Sequence, residues 1–319
     1  MPIYFAKFTN DEEGVKEMIT GLKKVTKNRK NSWFFCFENT GVYSKILLGL
    51  LCSLKYACRE ESLLQLSRSL GIKRGKKDPI DARDICQYAF EKRDSIEATQ
   101  PLSLQMTNLR KILSYRDLLV RKRVSIEVAL KDQKAAMGKE MYEELMVLNE
   151  QVINLFNEQT KQLDDSIEKI IDQQKSSSNN HWLAQSIIGI GPVTSAYMIA
   201  YTNNYECFTD PRDFSCYCGI APFPFESGSS IKKNNRVSYM GHKKIKSLLS
   251  NCVQAAIRYD KELMQYYERK IAEGKPEGVV LNNIKNKLIH RVFAVIKRQS
   301  PYVPLNKHVH KPRKEVIHI

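Results

Sequence analysis

The stretch Ser32-Trp33-Phe34-Phe35-Cys36-Phe37-Glu38 decides the fold of the N-terminal part of this 319-residue chain. Its continuous apolar run is typical of a strand that is buried in a parallel sheet. A helical pattern follows from about Val42 to Leu54, and Tyr56-Ala57-Cys58 has the character of a further strand. Upstream, Ile3 to Phe8 predicts a strand, and Asp11 to about Thr26 predicts a helix. This alternation predicts an α/β layer in the first hundred residues.

Three carboxylates belong to this region. Glu38 directly follows the buried strand, where open α/β sheets place ligands and reactive groups. The basic loop Lys73–Lys77 leads into Asp78-Pro79-Ile80-Asp81, where Pro79 suits the first position of a helix and Asp78 its N-cap. Asp78 and Asp81 would then lie about 5–6 Å apart at Cβ on one side of the helix end. Acids there can simply complement the helix dipole, but with Glu38 they form a candidate Mg²⁺ site.

The middle of the chain predicts long helices. From Leu102 to about Gln174 there is no proline and a single glycine, Gly138, and apolar residues recur at threes and fours. This pattern predicts two helices that form an antiparallel hairpin or a coiled-coil arm, either as a spacer or as an oligomerisation element. The run Lys175-Ser176-Ser177-Ser178-Asn179-Asn180 indicates a linker and a domain boundary.

The second half opens with Ile188-Gly189-Ile190-Gly191-Pro192. The backbone N–H groups of Gly189 and Gly191 could bind phosphate, as in helix–hairpin–helix modules. A tight turn that only packs is an equal alternative. Helical patterns resume from Lys243 to Tyr267 and from Gly278 to Lys297, and the tail from Pro301 to Ile319 is basic and irregular.

The stretch from Gly219 to Leu249 combines hydroxyl groups and cations on a backbone that is too rich in turns for regular structure. Ser227, Ser229 and Ser230 flank a glycine and could attack phosphorus. The cations that could hold phosphate are Lys232, Lys233, Arg236, Lys243, Lys244 and Lys246. Composition alone favours a flexible, solvated loop, and the carboxylates elsewhere in the chain are what favour a site.

The bulk composition points to a polyanionic partner. The net charge is +16, which favours nucleic acid over a membrane surface. The longest apolar run, Ile46 to Leu54, is too short to span a bilayer. The eight cysteines lack a paired Cys-x-x-Cys spacing, and no signal peptide precedes them, so we expect reduced thiols in a cytoplasmic protein.

Several motifs together resemble one family. They are Glu38-Asn39-Thr40-Gly41-Val42-Tyr43, Arg74-Gly75-Lys76-Lys77-Asp78-Pro79-Ile80-Asp81-Ala82-Arg83, Ile188-Gly189-Ile190-Gly191, Gly219-Ile220-Ala221-Pro222, Glu226-Ser227-Gly228 and Gly241-His242. In this order they resemble the insertion-sequence transposases of the IS-one-ten (IS110) family, which includes the Piv-type site-specific invertases. No single motif would be specific, but the resemblance covers nearly the whole chain.

The resemblance implies a ribonuclease H-like domain of the resolvase type, followed by a helical transposase domain. It implies that Glu38, Asp78 and Asp81 bind Mg²⁺ as the second, third and fourth acids of the family, and that Ser227 attacks DNA to form a phosphoserine link. It also implies a structured guide RNA. We expect at least a dimer, since a recombinase joins two duplexes.

One departure concerns the family's first acid, which lies on an opening strand upstream of the segment that resembles Ile3–Thr9. We therefore expect an N-terminally truncated member that lacks this strand and its ligand. Either the reading frame was started at an internal methionine or the copy has decayed, and the intact remaining motifs favour the first explanation.

The predicted organisation has four parts: 1–100 as the resolvase-like domain, 101–178 as the helical spacer, 179–300 as the C-terminal transposase domain and 301–319 as the basic tail. The predicted function is a transposase that cuts and rejoins DNA through Ser227. Two alternatives stay open, namely a truncated, inactive homologue that still binds DNA or RNA, and a junction nuclease that uses only metal and water.

Overall fold

The computed structural model describes residues 4–26, 33–70, 78–134, 136–227 and 231–304, without the side chains of residues 70, 78–80 and 224–236. The chain divides into two compact units, Met1–Pro101 and Leu102–Ile319. The described elements of the first unit are α1 (Glu12–Val25), β1 (Phe34–Glu38), α2 (Val42–Ser53), β2 (Ala57–Glu61), α3 (Leu63–Leu70) and α4 (Asp78–Glu91).

The first unit is built on a small parallel sheet. Strands β1 and β2 pair in register from Phe34 opposite Ala57 to Glu38 opposite Glu61, and α2 connects them. The strand predicted at Ser32–Phe37 is therefore confirmed as β1, with a shift of one or two residues. Its predicted burial is wrong, because Phe34 is exposed and the other four residues of β1 are half-buried in a sheet of two strands. The predicted helices at Asp11–Thr26 and Val42–Leu54 are confirmed as α1 and α2. A small core lies between them, formed by Val15, Ile19, Leu48, Leu51, Tyr56 and Cys58.

The strand predicted at Ile3–Phe8 is wrong for its described residues, 4–8, which have no regular secondary structure. The alternating pattern does not suffice because a strand needs a neighbour to satisfy its backbone groups. The segment instead lies near α1: a Cβ atom added to Gly21 would stand 2.4 Å from the Tyr4 hydroxyl. Phe5 is exposed.

The second unit is mainly helical. Its described elements are α5 (Leu104–Gln133), α6 (Lys139–Asp172), α7 (Lys175–Gln185), α8 (Pro192–Thr202), α9 (Pro211–Tyr217), β3 (Pro222–Ser227), β4 (Ile231–Val237), α10 (Lys243–Tyr259), α11 (Lys261–Ala272) and α12 (Glu277–Arg298). Its core is large and joins α5, α8, α10 and α12 through the buried side chains of Leu113, Ile199, Leu249 and Ile284. The second unit is thus held by apolar packing among helices.

Helices α5 and α6 pack along each other, as the pattern from Leu102 to Gln174 predicts. Arg116 on α5 donates from Nε and Nη2 to the two carboxylate oxygens of Asp164 on α6, the second bond at 3.0 Å. The pair belongs to the same compact unit as the helices that follow it.

The linker predicted at Lys175–Asn180 is wrong, because these residues form the first turns of α7. Their polar side chains are bonded rather than solvated: Ser177 and Asn180 are buried, and the Asn180 amide donates to Asn204 Oδ1 at 3.0 Å. Serine and asparagine have a low intrinsic helix propensity, and tertiary contacts readily override such a preference.

The stretch Gly219–Leu249 also has more regular structure than predicted. Strands β3 and β4 pair antiparallel, with Phe223 opposite Arg236, Glu226 opposite Lys232 and Ser227 opposite Ile231. Pro222 and Pro224 lie within β3 itself, and the ladder accommodates them with a register irregularity between Phe223 and Phe225. Helix α10 follows from Lys243.

In the described part of the chain, no helix is long and apolar enough to cross a membrane. The predicted basic tail lies largely outside the described residues, from 305 onward, as does the basic loop 73–77.

Candidate functional site

The first candidate site lies at the carboxyl ends of the two parallel strands. Glu38 ends β1, and its register partner Glu61 ends β2, so two acids share one edge of the sheet. Glu38 lines a cleft of about 350 Å³ together with Thr9, Asn10 and Tyr43. This edge is where parallel sheets bind ligands.

Glu61 was not predicted from the sequence as a site residue. Its side chain is buried, lies 3.2 Å from Arg59 Nε, and accepts a hydrogen bond from the Tyr88 hydroxyl at 3.2 Å. Burial and the Glu61 charge raise the pKa of Tyr88, which keeps the phenol protonated as a donor. The signal that could have found this acid is its place three residues after the strand predicted at Tyr56–Cys58, which the structure extends to Glu61.

Helix α4 carries the two predicted aspartates. It begins at Asp78, whereas the sequence predicted Asp78 as the N-cap and Pro79 as the first helical residue. A difference of one residue is within the usual uncertainty of helix ends. Asp81 is half-buried in the first turn, and the side chain of Asp78 lies outside the described atoms. Helix α4 packs on β1, the strand that carries Glu38.

The described residues contain no group of three histidine, cysteine, aspartate or glutamate side chains that could hold a metal ion. The predicted set of Glu38, Asp78 and Asp81 is not covered by this finding, since the side chain of Asp78 is not described. The donor chemistry of the set still fits a hard divalent cation, because all three predicted ligands are carboxylates.

The second candidate site is the hairpin of β3 and β4. Ser227 is the last residue of β3, at the end of the strand pair remote from α9 and α10. Lys232, Lys233 and Arg236 lie on β4. The side chains of these four residues lie outside the described atoms, so the structure fixes their backbone positions only.

The base of the hairpin is a close crossing of two glycines. Gly219 has a φ of +66°, and a Cβ on Gly241 would lie 2.3 Å from Gly219 Cα. Only glycine allows the two backbones this approach. The His242 N–H donates to Tyr217 O at 2.9 Å, and Lys246 Nζ donates to Gly219 O at 2.8 Å. These bonds tie the hairpin to the end of α9 and the start of α10.

His242 stands at this crossing as the N-cap of α10, where its Nδ1 accepts from the Ile245 N–H at 3.3 Å. Its ring lies against Tyr201 and Tyr217. Burial, with a smaller contribution from the Arg110 charge, lowers the pKa of His242. The imidazole is therefore neutral at physiological pH.

The predicted cations of α10 divide into two groups. Lys244 forms an ion pair with Asp117, and Lys246 is bonded to Gly219 O, so both contribute to the packing of the second unit. Lys243 is exposed in the first turn of α10. It is the member of this trio that is best placed to meet a phosphate.

The two glycines between α7 and α8 also differ. Gly189 has a φ of +98°, and an added Cβ would lie 2.6 Å from Cys252 O on α10. Gly191 caps α8 and has open space around the position of a Cβ. Gly189 is thus engaged in packing. A side chain at Gly191 would meet open space, although the Gly191 backbone is hydrogen-bonded to Cys252 on α10.

Comparisons with known proteins cover the two stretches of the chain in which the candidate sites lie. A model of the family described as "Transposase IS116/IS110/IS902 family" matches residues 182–268, and a model of DEDD-type transposases of the IS110 kind matches residues 3–133. The chain is also similar to the "Pilin gene-inverting protein" of Moraxella bovis and of Moraxella lacunata. Each is 23% identical over 308 residues, which cover 95% of this chain and 91% of the relative.

Proposed function

Because the chain belongs to the IS116/IS110/IS902 family of transposases and is a DNA recombinase, we propose that it cuts and rejoins DNA strands through the hydroxyl of Ser227. We propose further that Glu38, Asp78 and Asp81 hold a Mg²⁺ ion that assists the attack of this hydroxyl on the phosphate. One observation carries this proposal. The match to residues 3–133 spans the three acids, and the match to residues 182–268 spans the serine hairpin.

The covalent step conserves the energy of the phosphodiester. The Ser227 oxygen bonds to phosphorus while the bond from phosphorus to a sugar oxygen breaks. The serine gives up its proton, and the departing sugar oxygen takes one up to become a free hydroxyl. Attack by a strand hydroxyl on the phosphoserine reverses these changes, so strands can be exchanged without ATP.

The proposed metal site rests on the first unit. Glu38 ends β1 and Asp81 starts α4, and these elements pack on each other in a parallel α/β arrangement that supports a ribonuclease H-like fold. A bound divalent cation would neutralise charge on the phosphate and favour ionisation of a nearby hydroxyl. The carboxylates would fix its position.

The proposed function also includes a structured guide RNA that the protein binds, and a place of action in the cytoplasm. The net charge of +16 is the excess of basic over acidic side chains. This excess is available to the phosphates of both DNA and RNA. Lys232, Lys233, Arg236 and Lys243 are the proposed contacts around the hairpin, with the backbone at Gly189 and Gly191 as a further phosphate contact. Lys244 and Lys246 would contribute their charge while they keep their internal partners.

We propose that the protein forms a dimer through helix α6. Met141, Leu148 and Leu155 repeat every seven residues on it and are exposed, with Val152 between them. A heptad seam of this kind packs against another helix. We expect Leu148→Glu to shift the sedimentation of the full chain from dimer to monomer, and Glu144→Gln on the same helix to leave it unchanged.

The decisive experiment is a search for the covalent link. The full chain is incubated with labelled element-end DNA, Mg²⁺ and the cognate RNA, and protein–DNA adducts are separated under denaturing conditions. Adduct is expected from the unaltered chain and from the control Ser229→Ala, and none from Ser227→Ala. An adduct that persists in Ser227→Ala would overturn the assignment of the nucleophile.

The same experiment separates the two alternatives. Cleavage by Ser227→Ala that is lost in Glu38→Ala would indicate a nuclease that uses only metal and water. DNA binding without any adduct would indicate an inactive homologue.

A further inference from the structure

A cavity of about 620 Å³ lies beside α12 in the second unit, away from the hairpin residues that form the proposed site. Its walls are mostly apolar and include three aromatic rings, those of Tyr205, Phe208 and Phe293. The rings of Tyr205 and Phe293 meet edge to face, with centroids 5.3 Å apart. The volume is that of a pocket for a small planar ligand.

A second cavity, of about 390 Å³, adjoins the first and shares His290 with it. Lys287 and Arg291 line it, while Lys297 lines the aromatic cavity. The Arg291 charge is already matched by Asp260 and Glu262, at 2.6 and 2.7 Å. Lys287 Nζ lies over the Tyr266 ring, 4.7 Å from its centroid, so its charge and that of Lys297 remain available to an anionic ligand. The described residues that line the two cavities include no carboxylate.

The shared wall is one face of α12. His290, Ala294 and Lys297 follow each other at spacings of four and three and are exposed. At these spacings side chains lie one above another along a helix. A strand that runs along this face would therefore meet the aromatic cavity and the cations in succession.

Strained backbone forms part of the aromatic wall. Asn203, Asn204 and Tyr205 have φ values of 51°, 55° and 69°, a left-handed conformation that asparagine adopts readily and tyrosine rarely. Hydrogen bonds hold it: the Tyr205 N–H donates to Thr202 Oγ1 at 2.8 Å, and Asn180 binds Asn204. Strain of this kind is retained where a side chain has to be presented at a site.

Tyr205 has unused hydrogen-bonding capacity. Its hydroxyl is buried and has no partner among the described residues. Burial raises the pKa of this phenol, so the group remains a donor at neutral pH. A buried donor without a partner is costly unless a ligand can engage it.

We propose that the aromatic cavity binds one unpaired base of a DNA strand, with the neighbouring phosphates on Lys287 and Lys297. Bases stack on aromatic side chains whatever their sequence, and lysines bind the phosphates on either side. DNA follows from the family's action on that substrate, so the inference rests on the recombinase assignment and not on the role of Ser227. It adds a subsite that holds a separated strand in place.

The test measures stacking directly. The full chain carrying Ser227→Ala is titrated with single-stranded DNA that contains one 2-aminopurine, whose fluorescence is quenched when it stacks. Ala294→Trp fills the cavity from an exposed helix position, so the core of the second unit keeps its contacts. We expect binding about tenfold weaker and a loss of quenching, in line with the cost of removing one stacked base. The control Ala272→Trp, exposed at the end of α11, should bind normally.

A second pair of variants tests the charge without filling the cavity. Lys297→Ala should reduce the slope of log affinity against log salt by about 0.7, the value for one phosphate contact to a single strand. Lys275→Ala removes an exposed charge outside the two cavities and should leave the slope unchanged.

Several outcomes would overturn the proposal. One is normal binding and quenching in Ala294→Trp. Another is quenching by an RNA oligonucleotide of the same sequence but not by DNA. A third is a salt slope in Lys297→Ala that equals the slope of the unaltered chain. None of these readouts requires a covalent adduct, so failure of the serine mechanism would leave the test intact.

Discussion

The two units of the molecule support their proposed chemistry with very different cores. In the described part of the first unit, six buried side chains surround a two-stranded sheet. The second unit buries side chains from eight helices in one continuous cluster. Because apolar burial is the main stabilising term in folding, the second unit should hold its shape alone. The first unit should depend more on what binds at its acidic edge.

The largest expected effects come from deleting one buried leucine in each core. Leu113→Ala in the second unit and Leu51→Ala in the first should each cost about 2–5 kcal/mol, since both side chains are fully buried. Hydrogen exchange followed by mass spectrometry would assign the loss to peptides of each unit. If either variant reduced protection in both units, the two units would unfold together. The second unit would then not be stable independently of the first.

Metal addition should affect the first unit selectively. At a Mg²⁺ concentration of 100 times Kd, a site in the folded unit would stabilise it by about 2.7 kcal/mol. Hydrogen exchange of residues 1–101 should slow accordingly in the unaltered chain and not in Asp81→Asn. Glu17→Gln, an exposed acid on α1, is the matched control. An equal response of Asp81→Asn and the unaltered chain would remove Asp81 from the proposed site.

Gly241→Ala should disturb the second unit at a single place. The added methyl group would overlap the Gly219 backbone, and the overpacking should cost about 1–3 kcal/mol. We expect faster exchange in residues 222–237 and loss of the adduct, with the helical core unchanged. Gly138→Ala, at a glycine with open space, is the control. Unchanged exchange in the hairpin would show that the crossing does not hold it.

The smallest expected effect is a pH dependence at His242. Its folded pKa is lowered, so its contribution to stability is present above the unfolded pKa of about 6.5 and is lost as the pH falls toward the folded value. His242→Asn keeps an N-cap acceptor without the titration. The free energy of unfolding, measured between pH 5 and 7.5, should fall less with acid in this variant. Parallel curves for the two proteins would exclude His242 as the cause.

Much of the helical structure could be predicted from the sequence because its signals are local. Periodic apolar residues indicated α1, α2, α5, α6 and α12, and α1 begins directly after its N-cap, Asp11, close to the predicted start. The errors arose where distant contacts decide the structure. Ile3–Phe8 has the pattern of a strand but no pairing partner, and Lys175–Asn180 has the composition of a linker but is bonded to residues far along the chain.

The candidate site was predictable only in part for the same reason. Glu38 was found because it directly follows a conspicuous apolar run, whereas Glu61 became visible only through its register with Glu38. The role of Gly189 in packing depends on Cys252, 63 residues further along the chain, which no local pattern reports. Ser227 was singled out from Ser229 and Ser230 by the family resemblance, since composition treats the three alike.

The glycine crossing at the base of the hairpin makes β3 and β4 a lever. Six residues of β3 extend about 20 Å from the crossing to Ser227. A rotation of about 10° at the base would carry the far end through about 3.5 Å, which is the span between a hydrogen-bonded contact and no contact. A pivot made of two glycines can therefore convert a small adjustment beside α10 into arrival or withdrawal of Ser227, the proposed nucleophile, at a phosphate.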